Sequence, residues 1–317
     1  MSYDEQILYK VAQMYYLDND TQADISAKLG LSRPKISRLL ARAREEGVVQ
    51  ISLSRTPSSS AEMLQTRIKE RLGLQNVLVV PSVSADEGEN LRAVAGASAA
   101  FFQQFIKDGD KIGVSWGYTL MEIAKALPIA SFPRCTIVQI AGNLDNADST
   151  NFANDIIRQF GERMCIDHKT TLPCPILVEN SIIVDLLLHD SKISSIIDQI
   201  NAVDVAFMNV GMLSENNCLC RTGFVTPEDL LKLQNKHSVG CICSRFIDID
   251  GRIVDDSYNN RTISIALSVL NKVRVSCACI ASERKVPALL GAIRGGLVNT
   301  IALDSDTAEQ LLLCAER

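Results

Sequence analysis

Apolar stretches alternate with amphipathic stretches along most of this chain. The uninterrupted apolar stretches predict strands buried on both faces, and the stretches with apolar residues every three to four positions predict helices. The predicted strands cover 76–82, 110–117, 135–142, 203–211, 239–248, 273–281 and 299–304. The predicted helices cover 61–72, 86–107, 118–127, 150–164, 283–294 and 305–314. Buried strands separated by helices indicate an α/β fold with a mostly parallel sheet covered on both sides.

The N-terminal segment TQADISAKLGLSRPKISRLLARAREEGVV, residues 21–49, has a different apolar spacing. Ile25 and Leu29 would lie on the inner face of one short helix, with the small Ser26 where a second helix crosses. Gly30 falls in the turn, where a positive φ is needed. The second helix supplies the remaining inward residues, Leu31, Ile36 and Leu39. The segment therefore predicts a helix-turn-helix.

Polar residues complete this motif. Thr21 and Ser32 are placed to cap the two helices, and Pro34 falls in the first turn of the second, where its missing N–H does no harm. The outward side chains of the second helix would meet base edges and phosphates in the major groove. We therefore assign double-stranded DNA binding to Thr21, Gln22, Ser32, Arg33, Lys35, Ser37, Arg38 and Arg42.

The charge distribution supports this assignment. The chain carries a formal net charge of −5, yet residues 28–55 contain seven basic and two acidic residues. A basic segment on an acidic body is typical of nucleic-acid binding, although a charged stretch can also be a solvated helix face. Charge and motif together favour a DNA-binding domain.

Length and composition suggest two domains. The chain has 317 residues, and the Ser-rich SRTPSSS at 54–60 reads as a linker. We predict a helix-turn-helix domain over 1–53, a linker over 54–60 and an α/β domain for effector binding and oligomerisation over 61–317. With no apolar run of 18 residues and no signal-peptide pattern, we expect a cytoplasmic protein without a membrane partner.

Six of the ten cysteines form C-x-C pairs, at 218/220, 241/243 and 277/279. A spacing of two puts both thiols on one face of a strand. The three histidines have no ligand spacing relative to these pairs, so buried small residues are favoured over zinc ligands. We expect neither a metal nor a cofactor.

The segment GVSWGYTL, residues 113–120, is a candidate anion site. A strand would end at Ser115, Gly117 would let the backbone turn, and Tyr118 and Thr119 would open a helix. Free N–H groups at a helix start bind anions, although an ordinary helix cap has the same residues.

The N-terminal segment from Val11 to Leu53 resembles the SorC family of bacterial sugar-responsive transcription regulators. GVSWGYTL, QIAGN, SRFIDIDG and ASERKVPALLGAIRGGLVNTIALDSDTA resemble the same family in order and spacing. The resemblance covers essentially the whole chain. It implies a sugar-phosphate-isomerase-like effector domain, a tetramer, and a phosphorylated sugar or polyol as effector held at the GVSWGYTL loop.

Polar residues at the ends of other strands extend this site, because open α/β sheets bind ligands beyond the carboxyl ends of their strands. By resemblance, Asp248 and Lys285 match positions that contact the effector. Asp248 could instead belong to an ordinary turn, and Lys285 could be a surface lysine. The effector-binding candidates are Ser115, Gly117, Tyr118, Thr119, Gly142, Asn143, Asp248 and Lys285, with Arg221 and Arg245 as further anion-binding candidates.

Two functions remain open. The first is a ligand-gated transcription regulator that is not an enzyme and acts as a homo-oligomer, dimer or tetramer, because a single helix-turn-helix usually reads half of a palindrome. The second is a sugar-phosphate isomerase or deaminase-like enzyme with a DNA-binding arm. An isomerase needs a general base; Asp248 could serve, but no partner acid or histidine has an obvious spacing.

Overall fold

The computed structural model describes residues 3–16, 18, 20–49, 59–144, 152–215 and 217–316. The chain divides into two compact units, Met1–Pro57 and Ser58–Arg317. Of the expected linker, 54–58 lies outside the described residues. Its last two residues are not linker, because the helix that carries Ala61 and Leu64 into the core already begins at Ser59.

The first unit contains three helices, α1 (Tyr3–Tyr16), α2 (Gln22–Leu29) and α3 (Arg33–Glu45). They enclose a small core in which Val11, Ile25 and Ile36 are buried. Leu40, one turn beyond Ile36, is also buried, whereas the predicted Leu39 is only half-buried. A short turn joins α2 to α3, and α3 is the second helix of the predicted motif.

Local hydrogen bonds stabilise the start of α2 and the turn between α2 and α3. The Thr21 hydroxyl accepts from the backbone N–H of Asp24, whose carboxylate accepts from the backbone N–H of Thr21, a reciprocal N-terminal cap. Gly30 has φ +65°, as its place in the turn requires. Ser32 begins α3, but its side chain makes no capping bond, so that expectation was wrong. The Ser26 hydroxyl instead donates to the Leu31 carbonyl, at 2.6 Å, and secures the turn.

The second unit is built on a seven-stranded parallel sheet with the order β1-β10-β9-β5-β2-β3-β4, which confirms the predicted α/β class. Continuous apolar segments became strands buried on both faces, as expected. The strands are β1 (Asn76–Val80), β2 (Lys111–Val114), β3 (Thr136–Gln139), β4 (His168–Thr170), β5 (Val205–Met208), β9 (Val275–Ile280) and β10 (Thr300–Asp304).

Helices pack against the strands of the second unit. They are α4 (Ser59–Leu72), α5 (Glu87–Gln103), α6 (Tyr118–Ala126), α7 (Phe152–Met164), α8 (Ser181–His189), α9 (Ser191–Ile200), α10 (Cys218–Arg221), α11 (Pro227–Asn235), α12 (Asp256–Asn259), α13 (Leu267–Leu270), α14 (Val286–Arg294) and α15 (Ser305–Ala315). A 3₁₀ turn, Glu283–Lys285, precedes α14. Among the described residues, no helix combines the length and apolar character needed to cross a bilayer.

A separate antiparallel sheet contains β6 (Val210–Met212), β7 (Gly240–Ile242) and β8 (Arg245–Ile247). The strand predicted over 239–248 is therefore wrong: the segment is a hairpin that reverses at Cys243 and Ser244, with φ +47° and +65°. Neither residue is typical of a hairpin turn in which both central residues need a positive φ, so the sequence did not reveal the reversal. The strand predicted over 203–211 is likewise divided between β5 and β6.

The cysteine pairs occupy two kinds of environment. Cys277 and Cys279 are buried on β9, and Cys241 and Cys243 are buried in the hairpin, as expected. Cys218 and Cys220 were expected on a strand and lie instead on α10, which begins because the Asn217 side chain accepts from the N–H of Leu219. Cys218 is exposed.

Three phenylalanines anchor the core on one side of the sheet. Phe207 lies on β5 and stacks edge-to-face on Phe102, at 6.1 Å between ring centroids, and on Phe160, at 5.0 Å. All three rings are fully buried, so they tie α5 and α7 to the middle of the sheet.

Replacing Phe207 by alanine leaves a cavity between two rings, and we expect a loss of roughly 3–5 kcal/mol in the free energy of unfolding. Urea denaturation followed by the fluorescence of Trp116, the single tryptophan, reports on this unit. Leu231→Ala, at an exposed position on α11, is the control and should change stability by less than about 0.5 kcal/mol. Equal effects of both substitutions would contradict the central role of Phe207.

Candidate functional site

A cavity of about 160 Å³ lies beyond the carboxyl ends of β2 and β5. After β2 the chain continues to β3 on one side, and after β5 the next strand of the sheet is β9 on the other side. Such a reversal of strand order opens a crevice in which α/β proteins bind ligands. Ser115 follows β2 and Asn209 follows β5, and both line the cavity.

The turn from β2 into α6 passes directly over Asn209. Gly117 has φ +140°, and a Cβ atom there would lie 2.4 Å from Nδ2 of Asn209. Only glycine permits this approach and this backbone conformation. Gly117 precedes α6 without a side-chain cap, so the first-turn N–H groups of α6 keep their capacity to bind an acceptor. Oδ1 of Asn209 is buried without a hydrogen-bond partner among the described residues.

The β7–β8 hairpin turn forms another wall of the cavity, through Cys243 and Ser244. Both residues adopt left-handed backbone conformations that cost a non-glycine residue about 1–2 kcal/mol. Backbone strain of this kind concentrates at functional sites, where the surrounding structure enforces it.

Lys285 supplies positive charge to the cavity. Its side chain is half-buried, and within the described ranges no side chain or carbonyl forms an ion pair or hydrogen bond with its ammonium group. Burial lowers the pKa of Lys285, because desolvation disfavours the charged form. An ammonium group placed this way is suited to an anionic ligand.

The structure brings together some of the predicted effector residues. Ser115 and Lys285 line the cavity, and Gly117 borders it through Asn209. Tyr118 is exposed and Thr119 is buried, and neither lines the cavity.

Gly142 and Asn143 are occupied by structural contacts. The Gly142 carbonyl accepts from Nε1 of Trp116 at 2.7 Å, which fixes the indole beside the cavity. Oδ1 of Asn143 accepts from Gln139, and its amide donates to the Leu172 carbonyl. These two residues support the cavity from outside rather than line it.

Asp248 does not occupy the predicted position. It follows an antiparallel strand, so it is not at the carboxyl edge of the parallel sheet. Its Oδ1 accepts from the backbone N–H groups of Asp250 and Arg252, at 2.9 and 2.8 Å. Asp248 therefore stabilises its own turn and does not line the cavity.

Arg245 is a buried cation whose donors are already used. Its guanidinium donates to the carbonyls of Asn259, Thr262, Ser264 and Ile265, and also to the Asn259 side chain. Burial lowers its pKa to about 10. Arg245 is therefore unsuited to bind a second anion, and Arg221 is exposed on α10 outside the cavity lining.

Sequence reasoning missed several lining residues, including Asn209, Asn217 and Ser244. Asn209 had a usable signal, because it is the first polar residue after an apolar strand. Asn217 and Ser244 had none, since their positions depend on α10 and on a hairpin that the pattern did not reveal.

The first unit presents a basic surface on α3. Arg33, Lys35, Ser37 and Arg38 are exposed, and Ile36 on the opposite face is buried. The remaining candidates are peripheral: Thr21 and Ser32 are exposed at helix starts, Gln22 is half-buried, and Arg42 pairs with Glu46 at 2.6 Å. The exposed side chains of α3 are thus those expected of a recognition helix.

Comparison with known proteins gives consistent matches. The model of the sugar-binding domain family (Sugar-bind) matches residues 57–313. A deoxyribonucleoside regulator of Bacillus subtilis is 30% identical over 308 residues, which cover 97% of each chain. A sorbitol operon regulator of Klebsiella pneumoniae is 30% identical over 312 residues, which cover 98% of each chain.

Solved structures agree with these matches. The crystal structure of the full-length sorbitol operon regulator SorC of Klebsiella pneumoniae superposes with a TM-score of 0.83 at 30% identity. The match covers 98% of this chain and 100% of that chain. A DeoR family regulator from Listeria monocytogenes matches with a TM-score of 0.73 at 26% identity, over 80% of this chain and 100% of that chain.

The environment of Lys285 predicts a gain in stability when its charge is removed. Lys285→Met should raise the free energy of unfolding of the ligand-free protein by roughly 0.5–1 kcal/mol at neutral pH. The wild type carries the desolvation penalty while Lys285 is charged in the folded state. As pH rises towards 10.5, the ordinary pKa of lysine, Lys285 loses its proton in the folded state before it does so in the unfolded state. The difference in free energy of unfolding between Lys285→Met and the wild type should therefore narrow.

Urea titrations at several pH values measure this difference in stability. Lys272→Met, at an exposed position outside the cavity, is the matched control and should change stability little. A destabilised Lys285→Met protein would show that the ammonium has a stabilising partner.

Proposed function

This chain belongs to the SorC family of sugar-binding transcriptional regulators, and from that premise we propose that its cavity gates its binding to DNA. The protein regulates transcription of a carbohydrate or polyol operon, with a phosphorylated sugar or polyol as effector. One observation carries the effector proposal: the half-buried ammonium of Lys285 lines a cavity at the strand-order reversal and has no anionic partner in the described chain. DNA reading is assigned to 1–53 and effector binding to 61–317.

The donors around the cavity suit a phosphate group. Lys285 supplies a positive charge and the Ser115 hydroxyl can donate to anionic oxygens. Asn209 and Asn217 present amides that can bind hydroxyl groups. The site therefore combines phosphate recognition with recognition of a polyhydroxylated chain.

Regulation is favoured over catalysis. Isomerisation of a sugar phosphate needs a general base near the carbonyl group. Within the described chain, the cavity lining contains no carboxylate and no imidazole, and Asp248, the base considered from the sequence, does not line it. The related proteins named above are regulators rather than enzymes.

We further propose a homo-oligomer. A single helix-turn-helix covers half of a palindromic operator, and a two-fold pair of readers covers both halves. An effector can then change operator affinity only if it binds two arrangements of the assembly unequally.

The exposed face of α3 predicts a defect in operator binding. Arg38→Ala, Lys35→Ala and Arg33→Ala should each weaken binding, by roughly 5- to 150-fold where a base contact is lost. Loss of a phosphate contact should instead make the negative slope of log affinity against log salt shallower by about 0.9. Fluorescence anisotropy with operator DNA at several salt concentrations separates the two cases.

Arg67→Ala is the control for this series, because Arg67 is exposed on α4, outside the DNA-reading unit. It should leave both affinity and salt slope unchanged. Unchanged operator affinity in all three α3 variants would overturn the assignment of the reader.

The cavity predicts a response to sugar phosphates but not to the parent sugars. At 100 times its dissociation constant, the cognate ligand should add about 2.7 kcal/mol of stability. In an operator titration it should change DNA affinity by roughly 5- to 150-fold. Lys285→Met should abolish both responses while leaving ligand-free DNA binding intact, and Lys272→Met should respond as the wild type does. A full response in Lys285→Met would place the phosphate elsewhere.

A further inference from the structure

Helix α8 exposes an unusual amount of apolar surface. Its inner face, with Val184 and Leu187, packs against the core. Its outer face carries Ile182, 61% exposed, and Leu186, 68% exposed, and Ile183 beside them is also exposed. No residue of α8 is fully buried. A helix that carries large apolar residues on its outer face as well as on its inner face is normally covered on both.

The adjoining helix α9 shows what the solvent-facing pattern should be. Its outward positions are polar, with Ser191, Lys192, Ser195 and Asp198, and its inward Ile193 is buried. Both helices belong to one hairpin joined at Asp190, so the difference is a property of α8 itself. A contiguous apolar surface of this kind marks an interaction site.

Grooves flank α8 on both sides. One, of about 540 Å³, runs between α8 and the segment 259–266. The other, of about 470 Å³, is lined by Ile183 on α8 and, from elsewhere in the chain, by Leu177 and Phe224. They offer space for side chains projecting from a helix laid against α8.

We propose that α8 of a second copy of this chain occupies this surface, with the two helices antiparallel around a two-fold axis near Leu186. Across such an axis each Leu186 packs beside its counterpart, and each Ile182 faces the C-terminal end of the other helix. The antiparallel arrangement also opposes the two helix dipoles favourably. The inference rests on the homo-oligomer proposed above and identifies its contact surface.

Charge complementarity favours a second copy over another partner. The exposed Glu179 lies just before α8, and the exposed Lys192 lies just after it. An axis near Leu186 brings Glu179 of each copy beside Lys192 of the other.

The competing charges near this surface are already engaged. The Asp190 carboxylate accepts from the N–H groups of Lys192 and Ile193 and caps α9. The Arg261 guanidinium lies 4.7 Å from the centroid of the Tyr258 ring and donates to nearby carbonyls. Glu179 and Lys192 have no ion-pair partner among the described residues, which leaves them for contacts between copies.

The test is the mass of the full chain in solution, measured by sedimentation without DNA or ligand, so that it is independent of the regulatory proposal. Wild type should sediment as an even-numbered oligomer. Leu186→Glu should halve that mass and weaken association by roughly thirtyfold or more, as expected for a central interface residue. Ile129→Glu is the matched control, because Ile129 is 78% exposed outside α8, and it should keep the wild-type mass.

A charge exchange tests the antiparallel arrangement without adding a charge to the apolar face. Glu179→Lys and Lys192→Glu should each weaken association, and the double variant should restore it. These substitutions are at exposed positions, so they decide the question even if Leu186→Glu fails to fold.

Three results would overturn the proposal. The first is a wild type that remains a single chain at every concentration. The second is a folded Leu186→Glu protein with the wild-type mass. The third is a double charge variant that associates no better than the single variants.

Discussion

The reversal of strand order between β2 and β5 is the constraint on which the site depends. Parallel strands end at one edge of the sheet, and at this point the chain leaves in opposite directions, so the space beyond the two ends is not filled by a crossing connection. Ser115 and Asn209 line that space because each follows its strand directly. Gly117 then lets the turn into α6 pass close to Asn209, since any side chain there would collide with Asn209.

The hairpin turn beside the cavity has a backbone conformation that its own residues disfavour, and a neighbouring cation holds it in place. Cys243 and Ser244 adopt left-handed conformations, and the next residue, Arg245, donates to carbonyls of the segment 259–265. Among the described residues, the carbonyls of Thr262, Ser264 and Ile265 accept no backbone hydrogen bond, so loss of Arg245 would leave them unsatisfied. The same bonds that bury Arg245 therefore fix the wall of the cavity.

The parallel sheet could be predicted from the sequence because short, continuous apolar segments separated by helices are typical of parallel strands buried on both faces. The helix-turn-helix could be predicted because Gly30 and the buried Ile25 and Ile36 satisfy several independent requirements at once. The hairpin at 240–247 could not, because its turn at Cys243 and Ser244 has neither glycine nor asparagine. The wrong expectation that Asp248 ends a strand of the parallel sheet followed directly from that missed turn. Asn209 could have been predicted from the rule that ligands bind beyond strand ends, whereas the position of Asn217 in the cavity depends on tertiary contacts alone.

Arg245 also suggests how the cavity and the proposed association surface can influence each other. It adjoins the turn that lines the cavity, and it lines the groove beside α8 together with Asn259 and Ser264. A ligand shifts an assembly only by its unequal affinity for two arrangements, and the coupling must pass through contacts that differ between them. A ligand that reorients the turn at Ser244 moves the anchor of the segment 259–265. That segment forms one wall of the groove where a second copy would place its side chains, so effector binding and association share a physical connection within one unit of the chain.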